Sequence, residues 1–523
     1  MRRFNITGLC TPDEDYMVDI SGKIEQIRKL VDRRSYFTIN RARQYGKTTT
    51  MACLRKNLSA DYLVALISFE GIDDESFQSS EAFCQMFLRL IYRSLKYTGT
   101  SDDYINSWLD NNVSDFQKLS EHITSLCKNH DIVLMIDEVD KTSNNRVFLH
   151  FLGMLRNKFL DRKIGTDYTF HSVILAGVYD IKNIKLKMIN EGSYTAAASE
   201  SKIYNSPWNI AVDFDIDMSF NPAEITSMLK EYEAEHSTGM DMAAIAEEIY
   251  QYTGGYPYLV SNICKHLDER LDKDWTLAGV RQAVKNILQQ KNTLFDDLFK
   301  NLENNQKLYN LIYDVLITGR ERTFDNSNPT INMAAMYGII RAAGQGVSIA
   351  NKIFEIKICN YFITKDEESS DKQITRVLQY DVIKADGRFD MELCLKKFSS
   401  HYAELYNEDD LSFLEKHGRL IFLSYLRPLI NGRGFYHIES QFTDRRRMDV
   451  VVDFGHDQFI IELKLWYGDS EHHKAYEQLL GYMDSKKASV GYLLTFDFRK
   501  DKKNNAQAEW IAFGERRIFD VVV

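Results

Sequence analysis

The chain has 523 residues, a formal net charge of −10, 44% hydrophobic residues and 27% charged residues. At about 150 residues per domain, this length predicts roughly three to four domains, and there is enough apolar material for several buried cores. These values exclude a disordered or fibrous chain. The sequence has no apolar run of about 18 residues and no signal-peptide core at its start, so we expect a cytoplasmic protein with no membrane partner.

Between residues 30 and about 215, short apolar runs alternate with helical stretches, which predicts an α/β fold with a parallel sheet covered by helices. Four of the five predicted strands are apolar almost throughout, as in strands buried on both faces. Because such sheets bind ligands at the carboxyl ends of their strands, we expect the functional residues there. The predicted strands are residues 35–40, 63–69, 132–137, 172–177 and 208–214.

The rest of the chain changes pattern twice. After Asn221-Pro222 the sequence is helical, with Gly254-Gly255 separating two helices. Helical and strand patterns then mix, which suggests a winged-helix-like unit, and the last block combines strands with a helix at residues 471–485. We predict four domains: an α/β core (1–220), a helical lid (221–300), a winged-helix-like and linker region (301–374) and a second α/β domain (375–523).

Gly46-Lys47-Thr48 follows the first predicted strand and opens a helix. Backbone NH groups in this place bind phosphate, Lys47 would reach the β- and γ-phosphates, and Thr48 would bind Mg²⁺. Arg41 stands where the full phosphate-loop motif has its first glycine, and an isolated G-K-T also occurs by chance. The residues assigned to nucleotide binding are Arg43, Gln44, Tyr45, Gly46, Lys47, Thr48 and Thr49, together with Asp137.

A second acidic motif supports this interpretation. The third predicted strand ends in Asp137-Glu138. Asp137 would hold Mg²⁺ and Glu138 would polarise the attacking water. Two acids at the end of a strand are also common in turns, but the order of the two motifs on these element types favours an ATPase.

Residues from about 4 to 300 resemble the AAA-ATPase-like family of bacterial proteins, which is related to archaeal and STAND-type P-loop ATPases. The matching segments are R-x-R-x-x-G-K-T, the D-E pair, S-P-W-N-I-A and T-G-G-Y-P-Y-L. Members of this family commonly carry arginine in place of the first loop glycine. The resemblance implies a sheet of strand order 5-1-4-3-2, binding of ATP with Mg²⁺, and a role as a nucleotide switch or slow ATPase.

The last block contains the segment RRRMDVVVDFGHDQFIIELKLW, which predicts two strands joined by a short turn. Strand alternation places Glu462 and Lys464 on one face, and Asp449 starts the partner strand. Two carboxylates beside a lysine can hold a divalent metal and position water for attack on a phosphodiester. The E-x-K pattern is also common on exposed strands. Glu439, on the preceding strand, is a third acid that could complete the site.

Residues 400–523 resemble the PD-(D/E)XK nuclease superfamily and so imply a restriction-endonuclease-like α/β domain. The resemblance implies that Glu439, Asp449 and Glu462 bind a metal ion. Asp449, Glu462 and Lys464 would carry the cleavage chemistry, and Gln478 would line the site. Mg²⁺ is the expected metal, for which Mn²⁺ is expected to substitute.

The helix after these strands carries Tyr482 on the same face as Gln478. Basic residues at 445–447, 486–487 and 499–503 are expected to contact the phosphates of nucleic acid, with DNA as the expected partner. Solvated loop ends are an equally good interpretation of these basic residues. His472 and His473 are predicted to mark an exposed helix start.

Together, these features predict an ATP-regulated, metal-dependent nuclease. The alternative is a nucleotide-dependent signalling or scaffold protein whose nuclease-like domain binds nucleic acid or a partner without cleaving it. A third interpretation is defence against mobile DNA. The sequence leaves open whether the chain forms a homo-oligomer in which a neighbouring subunit supplies an arginine.

Overall fold

The computed structural model describes residues 2–96, 98–110, 112–139, 145–178, 208–318, 322–369, 382–405, 411–430, 433–439, 449–466, 469–497 and 507–523. The chain forms two compact units. The first comprises Met1–Tyr250, Gly254–Val280 and Met336–Gly338, and the second comprises Gln251–Thr253, Arg281–Ala335 and Ile339–Val523. The division into four domains stays a prediction.

The first unit is built on a parallel sheet of four strands, in the order β1-β4-β3-β2. This result confirms the predicted α/β fold with a parallel sheet. Each of the four strands lies within a residue of its predicted position. The strands are β1 (Tyr36–Asn40), β2 (Leu63–Ser68), β3 (Ile132–Asp137) and β4 (Ser172–Gly177).

The fifth predicted strand is reduced to one bridge. Val212 pairs in parallel with Phe37, and its NH donates to the Tyr36 carbonyl at 2.8 Å. This position flanks β1 on the side opposite β4, as the order 5-1-4-3-2 requires. The prediction of a strand over 208–214 was therefore wrong in its extent. Residues 208–210 form a turn instead.

Side chains of the four strands alternate between two hydrophobic cores, one on each face of the sheet. In β3, Val133 and Met135 enter the core beside the helices Ser21–Asp32 and Lys47–Leu58. Their neighbours Ile132, Leu134 and Ile136 enter the other core. A period of two along a strand buried on both faces produces this arrangement, and it leaves only the strand ends accessible to a ligand.

The structure describes the following α-helices in the first 304 residues, and they come from both units. They are Ser21–Asp32, Lys47–Leu58, Ser80–Leu95, Asp102–Asn106, Phe116–Cys127, Arg146–Lys163, Pro222–His236, Met242–Thr253, Pro257–Arg270, Leu277–Gln289 and Thr293–Asn304.

Asn221 and Pro222 start the first helix of the segment predicted to be the lid, as the sequence indicates. Asn221 and Glu224 form a capping box, and Pro222 occupies the first turn. Glu224 also pairs with the buried Lys23, whose Nζ lies 2.6 Å from the Glu224 carboxylate and 2.7 Å from the Ser219 carbonyl. These contacts tie the lid to the helix that precedes β1.

Gly255 allows the chain to pass close to the segment before the lid. Its φ is +74°, and a Cβ built on it would lie 2.0 Å from the carbonyl oxygen of Phe220. The Phe220 NH donates to the Gly255 carbonyl at 2.8 Å. Gly254-Gly255 predicts a break between two helices. At this break the backbones of Gly255 and Phe220 lie too close together to admit a side chain at residue 255.

We expect Gly255→Ala to lower the free energy of unfolding by at least about 3 kcal/mol, because strain at positive φ adds to a clash with backbone. Gly239→Ala is the matched control, since Gly239 has the same φ of +74° and nothing within 4 Å of its built Cβ. The control should cost only about 1 kcal/mol. Urea unfolding of the two variants measures the difference, and equal losses would show that the Phe220 contact is unimportant.

The second unit contains a mixed sheet of six strands, in the order β11-β12-β10-β9-β8-β7. Its β9, β10 and β12 run parallel, whereas β7-β8-β9 and β11-β12 are antiparallel. The last two strands were not predicted. The strands are β7 (Gly434–Glu439), β8 (Asp449–Phe454), β9 (Asp457–Leu465), β10 (Val490–Phe496), β11 (Gln507–Phe513) and β12 (Arg516–Val522).

Before this sheet, β5 (Ile340–Ala343) and β6 (Gly346–Ile349) form a hairpin among helices, which are the elements predicted there. Naming this region winged-helix-like stays a prediction. The α-helices that follow Asn304 are Gln306–Tyr313, Pro329–Met336, Lys352–Ser369, Met391–Leu405, Leu411–Ile430 and Asp469–Lys486.

Helices cover both faces of the six-stranded sheet. The helix Asp469–Lys486 packs Leu479 and Met483 on one face, where they join Leu493 of β10 in a hydrophobic cluster. On the other face, Phe398 and Tyr402 contact the ring of Phe496. The restriction-endonuclease-like assignment of this α/β arrangement stays a prediction.

Two properties that bear on chemistry complete the description. All seven cysteines are free thiols, as expected from their odd number and the absence of a C-x-x-C pair. Within the described ranges, none of the helices has the length and apolar character that crossing a bilayer requires.

Candidate functional site

The predicted phosphate loop leaves β1 and enters the helix Lys47–Leu58. Gly46 precedes this helix with φ +75°. A side chain there would be strained although space is available, because the nearest atom to a built Cβ is 4.0 Å away. Gln44 also has a positive φ, of 56°. Both residues turn the loop so that the first NH groups of the helix remain available for phosphate.

Arg41 shows why the first loop glycine is dispensable here. Its φ is not positive. Its guanidinium donates to the carbonyls of Asn40 at 2.8 Å and Ile216 at 2.6 Å, and it lies over the ring of Phe214 at 5.4 Å. Burial lowers the pKa of this guanidinium. Arg41 therefore holds the edge of the sheet, and its side chain does not fill the loop.

Lys47 is held in the loop by backbone carbonyls. Its ammonium donates to the carbonyls of Arg41 and Ala42, each at 2.9 Å, and the residue is only 7% exposed. Two backbone acceptors from the loop thus fix the cation beside the helix N-terminus. The Lys47 ammonium and the helix N-terminus both favour negative charge, so together they form a site for the phosphates of a nucleotide.

The acidic pair at the end of β3 lies beside this helix. The Thr48 hydroxyl donates to Asp137 Oδ2 at 2.8 Å, and the NH of Glu138 donates to Asp137 Oδ1 at 2.9 Å. Asp137 is buried, whereas Glu138 is half-buried with a φ of 56°. A glutamate in this backbone conformation costs about 1–2 kcal/mol, which is the kind of strain that proteins retain at functional sites.

The oxygen atoms of Thr48 and Asp137 fit Mg²⁺, which prefers hard oxygen ligands and usually takes one or two carboxylates with water and substrate phosphates. Among the residues that the structure describes, no group of three or more His, Cys, Asp or Glu side chains is placed to hold a metal. A Mg²⁺ ion that relies on nucleotide phosphates needs no such group.

The lid contacts the phosphate loop through Tyr256. Its hydroxyl donates to the carbonyl of Arg43 at 2.5 Å, and its ring packs edge-on against Tyr45 at 4.7 Å. Sequence reasoning had assigned Arg43 and Tyr45 to the nucleotide directly. In the structure, Arg43 uses its carbonyl to bind the lid, and its side chain is exposed.

A cleft of about 140 Å³ opens beside the loop, and sequence reasoning missed the part of its wall that lies outside the loop. No periodic or motif signal marks the N-terminal stretch of residues 5–10, which forms one wall. Thr49 is linked to this stretch, because its hydroxyl accepts from the Cys10 NH at 3.3 Å. The lining includes Val18, Ile20, Gln44, Tyr45, Gly46, Thr49, Met218, Phe220, Met228 and Tyr258. Its apolar character suits a flat nucleobase.

In the second unit, the structure brings the three predicted acids into register. Asp449 of β8 is paired with Glu439 of β7 on one side and with Glu462 of β9 on the other. Glu462 is 1% exposed, and the Lys464 ammonium lies 3.0 Å from its Oε1. Nothing beyond backbone position is described for Glu439 and Asp449.

Arg419, on the helix Leu411–Ile430, is a second cation close to Glu462 that sequence reasoning missed. It is half-buried and donates to the carbonyls of Leu316 and Ile317 at 3.3 and 3.1 Å. Burial lowers its pKa to about 10, and the charge of Glu462 opposes this shift. A lone arginine in an apolar helix gives no sequence signal of such a partner.

The other predicted residues of this site have mixed surroundings. Gln478 is half-buried, whereas Tyr482 lies in the hydrophobic cluster between helix and sheet. Lys486 contacts the Tyr482 ring at 5.7 Å. The basic segments 445–447 and 499–503 lie outside the described residues. His472 differs from the prediction, because it is not an exposed helix start but bonds to Asp520 at 2.7 Å.

Of three comparisons with known proteins, one identifies a family for this chain. The model of the AAA-like domain family matches residues 16–362. The Walker-type ATPase PABY2304 of Pyrococcus abyssi is 12% identical with a TM-score of 0.46, over 67% of this chain and 98% of that one. The ORC2 protein of Aeropyrum pernix, in ADPNP-ADP complexes, is 13% identical with a TM-score of 0.37, over 70% and 98% of the two chains. Cdc6p from Pyrobaculum aerophilum is 14% identical with a TM-score of 0.31, over 70% and 97%. A comparison with curated proteins found no match.

Proposed function

Because the chain belongs to the AAA-like domain family, we propose that its first unit binds ATP with Mg²⁺ at the phosphate loop and hydrolyses it slowly. The convergence of Lys47, Thr48 and Asp137 at one helix N-terminus carries this proposal. Thr48, in the helix that follows β1, and Asp137, at the end of β3, are 89 positions apart in the chain.

Each residue has a defined part in this reaction. The NH groups after Gly46 and the Lys47 ammonium bind the phosphates and offset their charge. Thr48 and Asp137 would hold Mg²⁺, which supplies charge neutralisation when it is bound with the nucleotide. Glu138 orients the water for attack on the γ-phosphate. Binding and hydrolysis of ATP by the full chain test the proposal, and the decisive variants are Lys47→Ala and Glu138→Gln.

For the second unit we propose a metal-dependent phosphodiesterase that acts on nucleic acid, with DNA as the expected substrate. The register of Glu439, Asp449 and Glu462 on three adjacent strands supports this proposal, as does the Glu462–Lys464 contact. Carboxylates at opposed positions can share a divalent ion, either Mg²⁺ or Mn²⁺. Lys464 would then position the attacking water.

The charge balance around Glu462 gives further support. A carboxylate that is 1% exposed is costly unless it is paired, and here Lys464 and Arg419 both offset its charge. An exposed strand with an E-x-K pattern would need neither burial nor a second cation. The burial therefore argues against the interpretation as a solvated strand.

We expect Lys464→Ala and Glu462→Gln to lower Mn²⁺-dependent cleavage of a labelled oligonucleotide by at least about 100-fold, because each removes a group that acts on the metal or water. Gel analysis with and without ATP measures the cleavage and any control by the first unit. Glu477→Gln, an exposed glutamate on the helix Asp469–Lys486, is the matched control.

Several outcomes discriminate between the functions. Full activity of Lys464→Ala would contradict the proposed site. Wild-type protein that binds the oligonucleotide but cleaves neither DNA nor RNA would select the signalling or scaffold alternative. The net charge of −10 gives that alternative its basis, since an acidic chain binds polyanions only through local basic patches. A homo-oligomer stays a prediction.

A further inference from the structure

A second polar cluster lies between the helix Asp469–Lys486 and the six-stranded sheet. His472 Nε2 is 2.7 Å from Asp520 Oδ2, and the Tyr476 hydroxyl bonds to the same carboxylate oxygen. This hydroxyl is also 2.9 Å from His472 Nε2. The other ring nitrogen, Nδ1, lies 3.5 Å from the Thr495 hydroxyl. We call these four residues the His472 cluster.

Packing alone does not explain the His472 cluster. Asp520 is 5% exposed, and its Oδ1 has no hydrogen-bond partner among the described residues. A buried carboxylate with one unpartnered oxygen is costly, and apolar side chains of similar volume often stabilise such a place as well or better. The carboxylate instead fixes the orientation of an imidazole, which the ring of Trp466 supports from 4.7 Å.

Strand register places this imidazole next to the proposed phosphodiesterase site. Lys464 of β9 is paired with Thr495 of β10, the residue that His472 Nδ1 faces. One row away, Glu462 is paired with Leu493, which is paired with Asp520 of β12. Paired residues of parallel strands share one face of the sheet. Glu462 and Lys464 therefore lie on the same face as Asp520, which is the face covered by the helix Asp469–Lys486.

We propose that His472 is the general acid of this site and that Asp520 is its positioning residue. This inference rests on the proposed phosphodiesterase function. Nε2 is occupied by Asp520 and Tyr476, so Nδ1 is the nitrogen directed toward the Lys464 side. A histidine whose second nitrogen is bound by a buried carboxylate is held in a defined orientation.

The chemical step balances with the groups present. Water that Lys464 positions attacks phosphorus and loses one proton to solvent. As the bond from phosphorus to the 3′-oxygen breaks, its electron pair stays on that oxygen, which takes the Nδ1 proton of the imidazolium. The products are a 5′-phosphate and a 3′-hydroxyl. His472, with a side chain 12% exposed, then recovers a proton from water.

The groups around His472 are less suited than its imidazole to donate the proton. Tyr476 is unsuited, because burial and its bond to Asp520 raise the pKa of its hydroxyl. Asp520 on β12 faces His472 from the sheet, and Thr495 on β10 carries no charge. The charge of Glu509 on β11 also raises the pKa of the Tyr476 hydroxyl. His473 is the exposed neighbour of His472 on the same helix.

Two substrates separate acid catalysis from a structural role. An oligonucleotide has a strongly basic leaving oxygen that needs a proton, whereas p-nitrophenolate leaves the 5′-p-nitrophenyl ester of thymidine monophosphate without one. We expect His472→Gln in the full chain to lower oligonucleotide cleavage by about 100-fold and ester cleavage by less than about threefold. His473→Gln is the matched control and should change neither rate.

Each outcome decides a different question. Equal losses on both substrates would overturn the inference and leave His472 a structural residue. Unchanged oligonucleotide cleavage by His472→Gln would overturn it while the phosphodiesterase proposal stands. Wild-type protein that cleaves neither substrate would remove both. If the wild type cleaves the oligonucleotide but not the ester, the pH–rate profile of oligonucleotide cleavage decides. The decline in the wild-type rate at alkaline pH must then disappear in His472→Gln.

Discussion

Replacing Lys47 with alanine should raise the Kd for ATP by at least about 100-fold. The Lys47 ammonium is fixed by two loop carbonyls at 2.9 Å, so it meets the phosphates without being reordered. A hydrogen bond to a charged group contributes about 1.5–3 kcal/mol, and the loss of the one that the third ammonium N–H makes to a phosphate accounts for a change of this size. Isothermal titration calorimetry with Mg²⁺ and a non-hydrolysable ATP analogue measures it.

Lys56→Ala is the matched control, because Lys56 lies on the same helix and is exposed. It should leave the Kd unchanged. Lys47 also bonds the loop to itself, so the unfolding midpoint of each variant must be measured beside its affinity. A Lys47→Ala protein that folds and binds ATP within about threefold of the wild type would contradict the assignment of the phosphate site.

Replacing Glu138 with glutamine should leave ATP binding intact and lower the rate of hydrolysis by about 100- to 1,000-fold. Glutamine keeps the size of the side chain but cannot polarise the attacking water as a carboxylate does. Phosphate release from ATP measures turnover, and calorimetry measures binding. Glu121→Gln, at an exposed helical position, is the control.

The φ of 56° at Glu138 supplies an independent check. Glycine adopts this conformation without strain, so Glu138→Gly should unfold at a urea concentration no lower than the wild type and yet lose hydrolysis. Stability and activity would then change in different directions. Wild-type turnover by Glu138→Gln would mean that another group orients the water.

Much of the first unit could be predicted from the sequence because its signals are local. The four sheet strands are apolar runs, and the phosphate loop and the Asp137-Glu138 pair are contiguous motifs. The capping box at Asn221 is likewise written in neighbouring residues. The fifth strand was overestimated because Val212 is the only residue of its predicted span that the structure pairs with β1. The outward aspartates 213, 215 and 217 that follow it favour an exposed edge.

The remaining site residues depend on tertiary contacts that no local pattern reports. The charge of Glu462 acts on Arg419, and His472 contacts Asp520 48 positions later in the chain. Neither β12 nor its buried aspartate was predicted, so His472 had no visible partner. The alternation that placed Glu462 beside Lys464 was reliable, since strand geometry determines it.

The most direct test is a crystal structure of the full chain with a non-hydrolysable ATP analogue and Mn²⁺, read through the anomalous signal of manganese. We predict phosphate density on the NH groups after Gly46 and a manganese peak within bonding distance of Thr48 and Asp137, with the base in the cleft beside Phe220. Nucleotide bound elsewhere, or a Lys47 ammonium still on its two loop carbonyls with no phosphate beside it, would contradict the proposal.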